Sequence, residues 1–313
     1  MHYNQKYFRT TLSACLFLAH FSAQANPIAC FDTNMGNFCI ELFETQTPVT
    51  TANFLSYINN GAYTHGIFHR SVPDFVVQGG GFQIVDSADG KSLNPVTVLP
   101  PIINEYKISN ARGTVAMAKL GNNPNSATSQ WFVNLADNND PRNPQNLDIQ
   151  NGGFTVFGRV LFDGMSVLDA IGELPIRNLA GSLSATPLKD FDGTQAASFN
   201  NLVQINHVAV TTTVGVFSEG TLSFPVDIGT GTALAVSLRL IKDNPSIVFE
   251  LDLTSVTSLA SNPASIATFS SQNSQLHIPS VMINASTQIN NVVMSLTNAE
   301  SYQFTLLSFD QIN

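Results

Sequence analysis

Two stretches of the chain repeat their apolar residues at helical spacing, while the other apolar side chains fall mostly in short runs of strand length. In the first, Thr47 is placed to cap a helix and Pro48 takes its first position. Val49, Ala52, Leu55 and Ile58 follow, and Gly61 ends it. The second covers 163–174, with Met165, Leu168 and Ile171 on one side and Pro175 as the stop. The short runs before residue 210 are 28–31, 38–43, 75–77, 114–118, 131–135 and 154–157. Two helices among so many strands argue for a mainly β fold, a closed or nearly closed antiparallel sheet capped at its ends.

Past residue 210 the texture changes. Arg239 and Lys242 are the sole basic residues of 211–313, Ser and Thr are abundant, and alternation marks strands at 233–240, 247–253 and 304–309. Leu222-Ser-Phe-Pro225 and Leu276-His-Ile-Pro279 lie 54 residues apart. Each precedes an alternating strand and then a strand bearing Phe249 or Phe304, the pattern of duplicated units of about 50 residues. The expected organisation is a domain at 26–210 and a β-sandwich-like module at 211–313 built from two such units.

Charge and cysteine usage narrow the function classes. Acidic residues outnumber basic ones by 22 to 13, a balance that disfavours nucleic acid and anionic membranes, which call for basic patches. His65, His207 and His277 are scattered, and no C-x-x-C or H-E-x-x-H occurs, so no metal site is expected. Residues 1–25 read as an export signal. Lys6 and Arg9 precede an apolar run from Leu12 to Phe21 that is too short to span a bilayer, and Ala23-Gln24-Ala25 offers a small-x-small cleavage site. Cleavage after Ala25 is expected, giving a periplasmic or secreted chain without a membrane anchor. Its formal charge moves from −9 to −11 with the loss of Lys6 and Arg9. Cys15 is not expected to carry lipid, because its apolar stretch follows it. Cys30 and Cys39 then remain, on two arms of a hairpin turning at 34–36. In an oxidising compartment they could bond, provided the register keeps them on one face; a slip of one residue would part them.

The most informative stretches are Phe68-His-Arg-Ser-Val-Pro-Asp-Phe-Val-Val-Gln-Gly-Gly-Gly-Phe82, Arg112-Gly-Thr-Val-Ala-Met-Ala118 and Asn125-Ser-Ala-Thr-Ser-Gln-Trp-Phe-Val-Asn134. Together with Asn53-Phe54, Gly61-Ala-Tyr63 and Val156-Phe-Gly-Arg-Val160, and in this order, they resemble the cyclophilin family of peptidyl-prolyl cis/trans isomerases, especially its exported bacterial branch. The likeness covers 28–210. It implies an eight-stranded antiparallel barrel capped by two helices, isomerase activity that assists folding of exported proteins, proline-containing polypeptides as clients, and no cofactor.

Such a reaction asks little of a site. The prolyl amide isomerises over a barrier of about 20 kcal/mol because its C–N bond has partial double-bond character. A pocket for the ring and a fixed donor that strengthens as the amide twists would suffice, without a covalent intermediate. By the resemblance Arg70 is the catalytic arginine, and Gln78 positions it and bonds the substrate backbone. Phe75, Phe132 and Leu147 wall the proline pocket together with Val76 and Phe154, and Ala118 lines the groove for the preceding residue with Gln130 beneath it. Three positions depart from the family: Val76 replaces a usual methionine, Asn146 a rim aromatic, and Phe154 a histidine.

Other features read as structure. His69 alternates to the side of the strand opposite Arg70; Gly79–Gly81 is a strand-end bend, since no phosphate-loop lysine follows; and 137–140 and 190–192 are solvated acidic turns. A second functional reading, motivated by Val76, Asn146 and the appended module, is a proline-peptide binding or adhesion protein with little catalysis. A third gives the function to 211–313 as the binder of a surface partner or glycan.

Overall fold

The structure, a computed structural model, describes residues 26–311 apart from 89, 144, 230–231 and 260–265. The export signal and Cys15 lie outside the described residues. The chain runs β1 (Pro27–Thr33), β2 (Gly36–Leu42), α1 (Pro48–Asn59), β3 (Arg70–Val72), β4 (Val76–Gly79), then the hairpin β5 (Phe82–Ser87) and β6 (Gly90–Pro95). It continues with β7 (Thr114–Met117), β8 (Trp131–Asn134), β9 (Val156–Leu161), α2 (Gly164–Gly172), the short pair β10 (Ile176–Arg177) and β11 (Thr186–Pro187), and β12 (Ile205–Thr212). Eight of these strands form one sheet in the order β12-β1-β2-β9-β7-β8-β4-β3, antiparallel throughout. Its two edges meet just ahead of β3 and β12. Phe68 N–H donates to the Val203 carbonyl at 3.0 Å and Ile205 N–H to that of Gly66 at 2.8 Å, which closes the sheet into a barrel.

Alternation sends one set of side chains inward: Phe31, Phe38, Val77, Val115, Trp131, Val133 and Phe157 are all buried there. The Trp131 ring lies at the middle, 5.2 Å from Phe31, 5.7 Å from Phe68 and 6.0 Å from Phe54 between centroids. Each buried ring of this kind stabilises by about 2 kcal/mol. Phe54 and Ile58 bring α1 onto this core, and Leu168 and Ile171 bring α2. Thr47 holds the N-cap position of α1, yet its hydroxyl donates to the Phe43 carbonyl and caps nothing. The free N–H groups of Val49 and Thr50 donate instead to the Glu105 carboxylate, at 3.3 and 2.8 Å, so the positive end of the helix is met by a charge from a distant loop. The turn of the first hairpin sets Cys30 directly opposite Cys39, and the two are joined as a disulfide.

Residues 215–311 form a second, nine-stranded sheet: β13 (Gly215–Ser218), β14 (Thr221–Asp227), β15 (Leu234–Lys242), β16 (Val248–Leu251), β17 (Thr257–Ser258), β18 (Ala267–Ser270), β19 (Gln275–Asn284), β20 (Thr287–Asn298) and β21 (Gln303–Gln311). Pairing of β14 with β15 turns its layers into a ring, β14-β18-β19-β20-β21-β16-β15, around Leu222, Phe224, Leu238, Leu276, Ile278 and Met294. The meander β14-β15-β16 begins at Leu222-Ser-Phe-Pro225, and β19-β20-β21 carries Leu276-His-Ile-Pro279 in its first strand. The two meanders meet where β16 pairs β21, with Phe249 opposite Phe304. The barrels touch through Ile28, Cys39 and Leu161 on the first and Val216 and Met282 on the second. Among the described residues no helix is long and apolar enough to cross a membrane.

Candidate active site

The even-numbered residues of the central strands, which alternation turns away from the barrel interior, share one outer face. Register lines them up across the sheet: Arg70 opposes Gln78, Gln78 opposes Phe132, Phe132 opposes Ala116, and Ala116 opposes Val156. One cross-strand row therefore passes from a cation through an amide to an apolar floor.

The floor is made by Val76, Ala116, Phe132, Leu147 and Val156, with Phe75, Ala118 and Phe154 half-buried at its margin. Leu147 comes from the segment 146–154, which folds back on the sheet. Leu147 N–H donates to Asn138 O at 2.8 Å, and Phe154 N–H donates to Leu147 O at 2.9 Å. Phe154 stands edge-on to Phe132, with centroids 5.8 Å apart. All seven apolar and polar groove residues expected from the sequence thus lie around one patch, beside Arg70 and Gln78.

Arg70 is half-buried, and one of its Nη1–H groups reaches Gln78 Oε1 at 3.4 Å. Burial lowers its pKa, and no carboxylate of the described residues pairs with it. The guanidinium carries five N–H donors, so most remain available to a ligand. Gln78 is itself fixed, its Nε2–H donating to Gln130 Oε1 at 2.7 Å.

His69 is buried as expected, its ring edge-on to Phe82 and meeting the Gln130 side chain. The structure corrects one expectation. Asn146 does not stand at the pocket rim. It is buried in its own loop, donating from Nδ2 to Asn139 O and accepting at Oδ1 from Asp148 N–H, which satisfies an amide that would be costly beside an apolar ring. Sequence reasoning missed Lys119. Its Nζ donates to the carbonyls of Asn151 and Gly153 at 2.9 and 2.7 Å and sits 4.7 Å over the Phe154 ring, pinning that wall; burial pulls its pKa down to about 8. Its adjacency to Ala118 was the available signal, though the partners are distant in sequence.

Gly80 explains the glycine run. With φ at +78°, a Cβ there would lie 2.4 Å from Ser129 O, so the bend lets β8 pack against β4. Asp137 accepts from Arg112 N–H, Asp140 pairs with Arg142, and Asp192 accepts from Thr194. Among the described residues no group of three or more His, Cys, Asp or Glu is arranged to hold a metal.

The sequence profile of the family described as "Cyclophilin type peptidyl-prolyl cis-trans isomerase/CLD" matches residues 29–192, ending before the second barrel. The chain is 41% identical over 166 residues to a peptidyl-prolyl cis-trans isomerase of Acinetobacter baylyi, covering 52% of this chain and 80% of that protein. It is 40% identical over 143 residues to peptidyl-prolyl cis-trans isomerase B of Escherichia coli, covering 45% of this chain and 81% of that protein. A crystal structure of a Cryptosporidium parvum cyclophilin aligns with a TM-score of 0.42 and 24% identity, over 59% of this chain and 99% of that one. With the matched segment holding the Arg70 row and every strand of the barrel but β12, the chain belongs to the cyclophilin-type peptidyl-prolyl cis-trans isomerases.

Proposed function

We propose that the first barrel catalyses prolyl isomerisation in exported proteins by holding the proline ring on the Phe132 floor while Arg70 stabilises the twisted amide. The observation that carries this reading is the half-buried Arg70 guanidinium, hydrogen-bonded to Gln78 and without a carboxylate partner among the described residues, at the end of the row Gln78–Phe132–Ala116. As the amide twists, conjugation is lost and the nitrogen becomes pyramidal and basic. A fixed N–H donor then binds that nitrogen or the prolyl carbonyl more strongly than in the planar ground state, which lowers the barrier. No proton transfer or covalent step is required. The Gln78–Gln130 pair keeps the guanidinium from swinging away, so little reorganisation accompanies the twist.

Export is supported by Lys6, Arg9, the short apolar run and Ala23-Gln24-Ala25. The Cys30–Cys39 bond points the same way, since such bonds persist in oxidising compartments. The test is a protease-coupled assay on an Ala-Pro peptide with chain 26–313. Arg70→Ala should lower kcat/KM by about 10²–10³, the loss seen when one transition-state donor is removed, with an unchanged circular dichroism spectrum. A folded variant of undiminished activity would refute the mechanism.

A further inference from the structure

The ring of the second barrel is not fully joined at one end. Strand β16 pairs β21 through Val248, Phe249 and Glu250 opposite Thr305, Phe304 and Gln303, and Leu306 N–H adds one bond to Ile247 O at 2.9 Å. Beyond that point residues 307–311 continue to pair with β20 on one side, through Ser308, Asp310 and Gln311. On the other side they meet no strand among the described residues, and all five are exposed. A row of backbone N–H and C=O groups is therefore free, the condition under which an edge accepts another chain.

A cavity of about 330 Å³ opens at the same end. Phe217, Phe249, Ile283 and Met294 are among its walls, and Ile247, Leu306 and Phe309 line it next to the free edge. Ile247 and Phe309 are 36% and 45% exposed, so the apolar lining continues out to the rim. Asp243 is the sole charged or polar lining residue.

These features select the occupant. Pockets for small molecules fix orientation with a few placed polar groups, and here the single polar group is a carboxylate. That carboxylate, in a segment 211–313 with seven acidic and two basic residues, repels fatty-acid carboxylates and phosphate headgroups. The free polar groups belong instead to the backbone of β21. An extended peptide supplies both halves of the match, main-chain bonds to the edge and alternate side chains for the cavity. We infer that this end of the second barrel binds an extended apolar polypeptide segment, added as a strand to β21 with every second side chain in the cavity. The isomerase thereby gains a second hold on an unfolded chain, one that needs no proline.

The experiment uses chain 26–313 and a fluorescein-labelled, proline-free peptide, Ser-Val-Thr-Leu-Thr-Val-Ser, followed by fluorescence anisotropy. Saturable binding is expected, weakened at least tenfold in the rim variant Ile247→Ser/Phe309→Ser, whose activity on an Ala-Pro peptide stays unchanged. N-methylation of alternate peptide nitrogens should abolish binding in one of the two registers, because it removes the donors that face the edge. Arg70→Ala should bind the peptide as well as the parent does, which separates this site from the isomerase site. Absence of binding, equal binding of both N-methylated peptides, or loss of binding in Arg70→Ala would overturn the inference. So would uptake of the neutral dye Nile red that the peptide leaves undisturbed.

Discussion

Acidification should destabilise this protein through His69. The residue is 3% exposed and its ring stands 5.3 Å from Phe82. Burial is the main cause that pulls its pKa from 6.5 to about 4; the Gln130 hydrogen bond opposes this and the neighbouring Arg70 charge adds to it. Above pH 6.5 the imidazole is neutral in both the folded and the unfolded chain, and its contribution to stability is complete. Between 6.5 and 4 the unfolded chain takes up a proton that the fold refuses, so stability falls as pH falls, and below 4 this loss levels off. At roughly 1.4 kcal/mol per pH unit the gap amounts to about 3 kcal/mol, a large part of the 5–15 kcal/mol that holds a domain together. Asp148 titrates in a lower window. Burial raises its pKa, but bonds from Ser109, Asn110 and Tyr106 outweigh that and hold it below 3.8, so its loss comes later. Urea unfolding followed at pH 7, 6, 5 and 4.5 should show the decline in the parent protein and a much flatter profile in His69→Gln. Identical pH slopes for the two proteins between 6.5 and 4 would refute the assignment.

Gln78→Leu should lower kcat/KM about tenfold, the worth of a weak hydrogen bond to a charged group, and should cost almost nothing further in an Arg70→Ala background; equal losses in both backgrounds would show that Gln78 acts apart from Arg70. Lys119→Met should raise KM several-fold for Ala-Pro peptides while kcat stays within about twofold, since it loosens the Phe154 wall and leaves Arg70 untouched. Protein recovered from the periplasm should begin at Asn26 by mass and carry the Cys30–Cys39 bond. Its removal by Cys30→Ala/Cys39→Ala should cost about 2.5 kcal/mol in denaturant unfolding, as the entropy of a short closed loop requires.

The site was legible through the family resemblance that its motifs carry, and strand alternation then puts Gln78, Phe132 and Ala116 on one face. The same parity placed His69 on the buried side, where its ring packs against Phe82. Helix α1 was readable from Pro48, but its apolar period misjudged the face, since Val49 and Ala52 are exposed while Phe54 and Tyr57 are buried, and its real cap, Glu105, comes from a loop that no local pattern ties to it. The strands of 211–311 were visible one at a time. Their ring depends on β14 meeting β15 and β16 meeting β21, and the second of these contacts joins segments more than fifty positions apart, beyond the reach of periodicity.

The seam of the first barrel has a consequence for the order in which the molecule can assemble. β1 leaves the ribosome well before β12, its partner on one side, so Pro27 waits for Thr212. At 5–20 residues per second that wait is on the order of ten seconds or longer. Until then the hairpin β1–β2 keeps an open edge, and the Trp131 core lacks Val203, Ile205 and Val208. Contacts of such high sequence separation slow folding, which leaves the chain threadable for as long as its last barrel strand is unmade. A truncation before Ile205 should therefore yield no folded isomerase, whereas one after Thr212 retains every strand the first barrel needs.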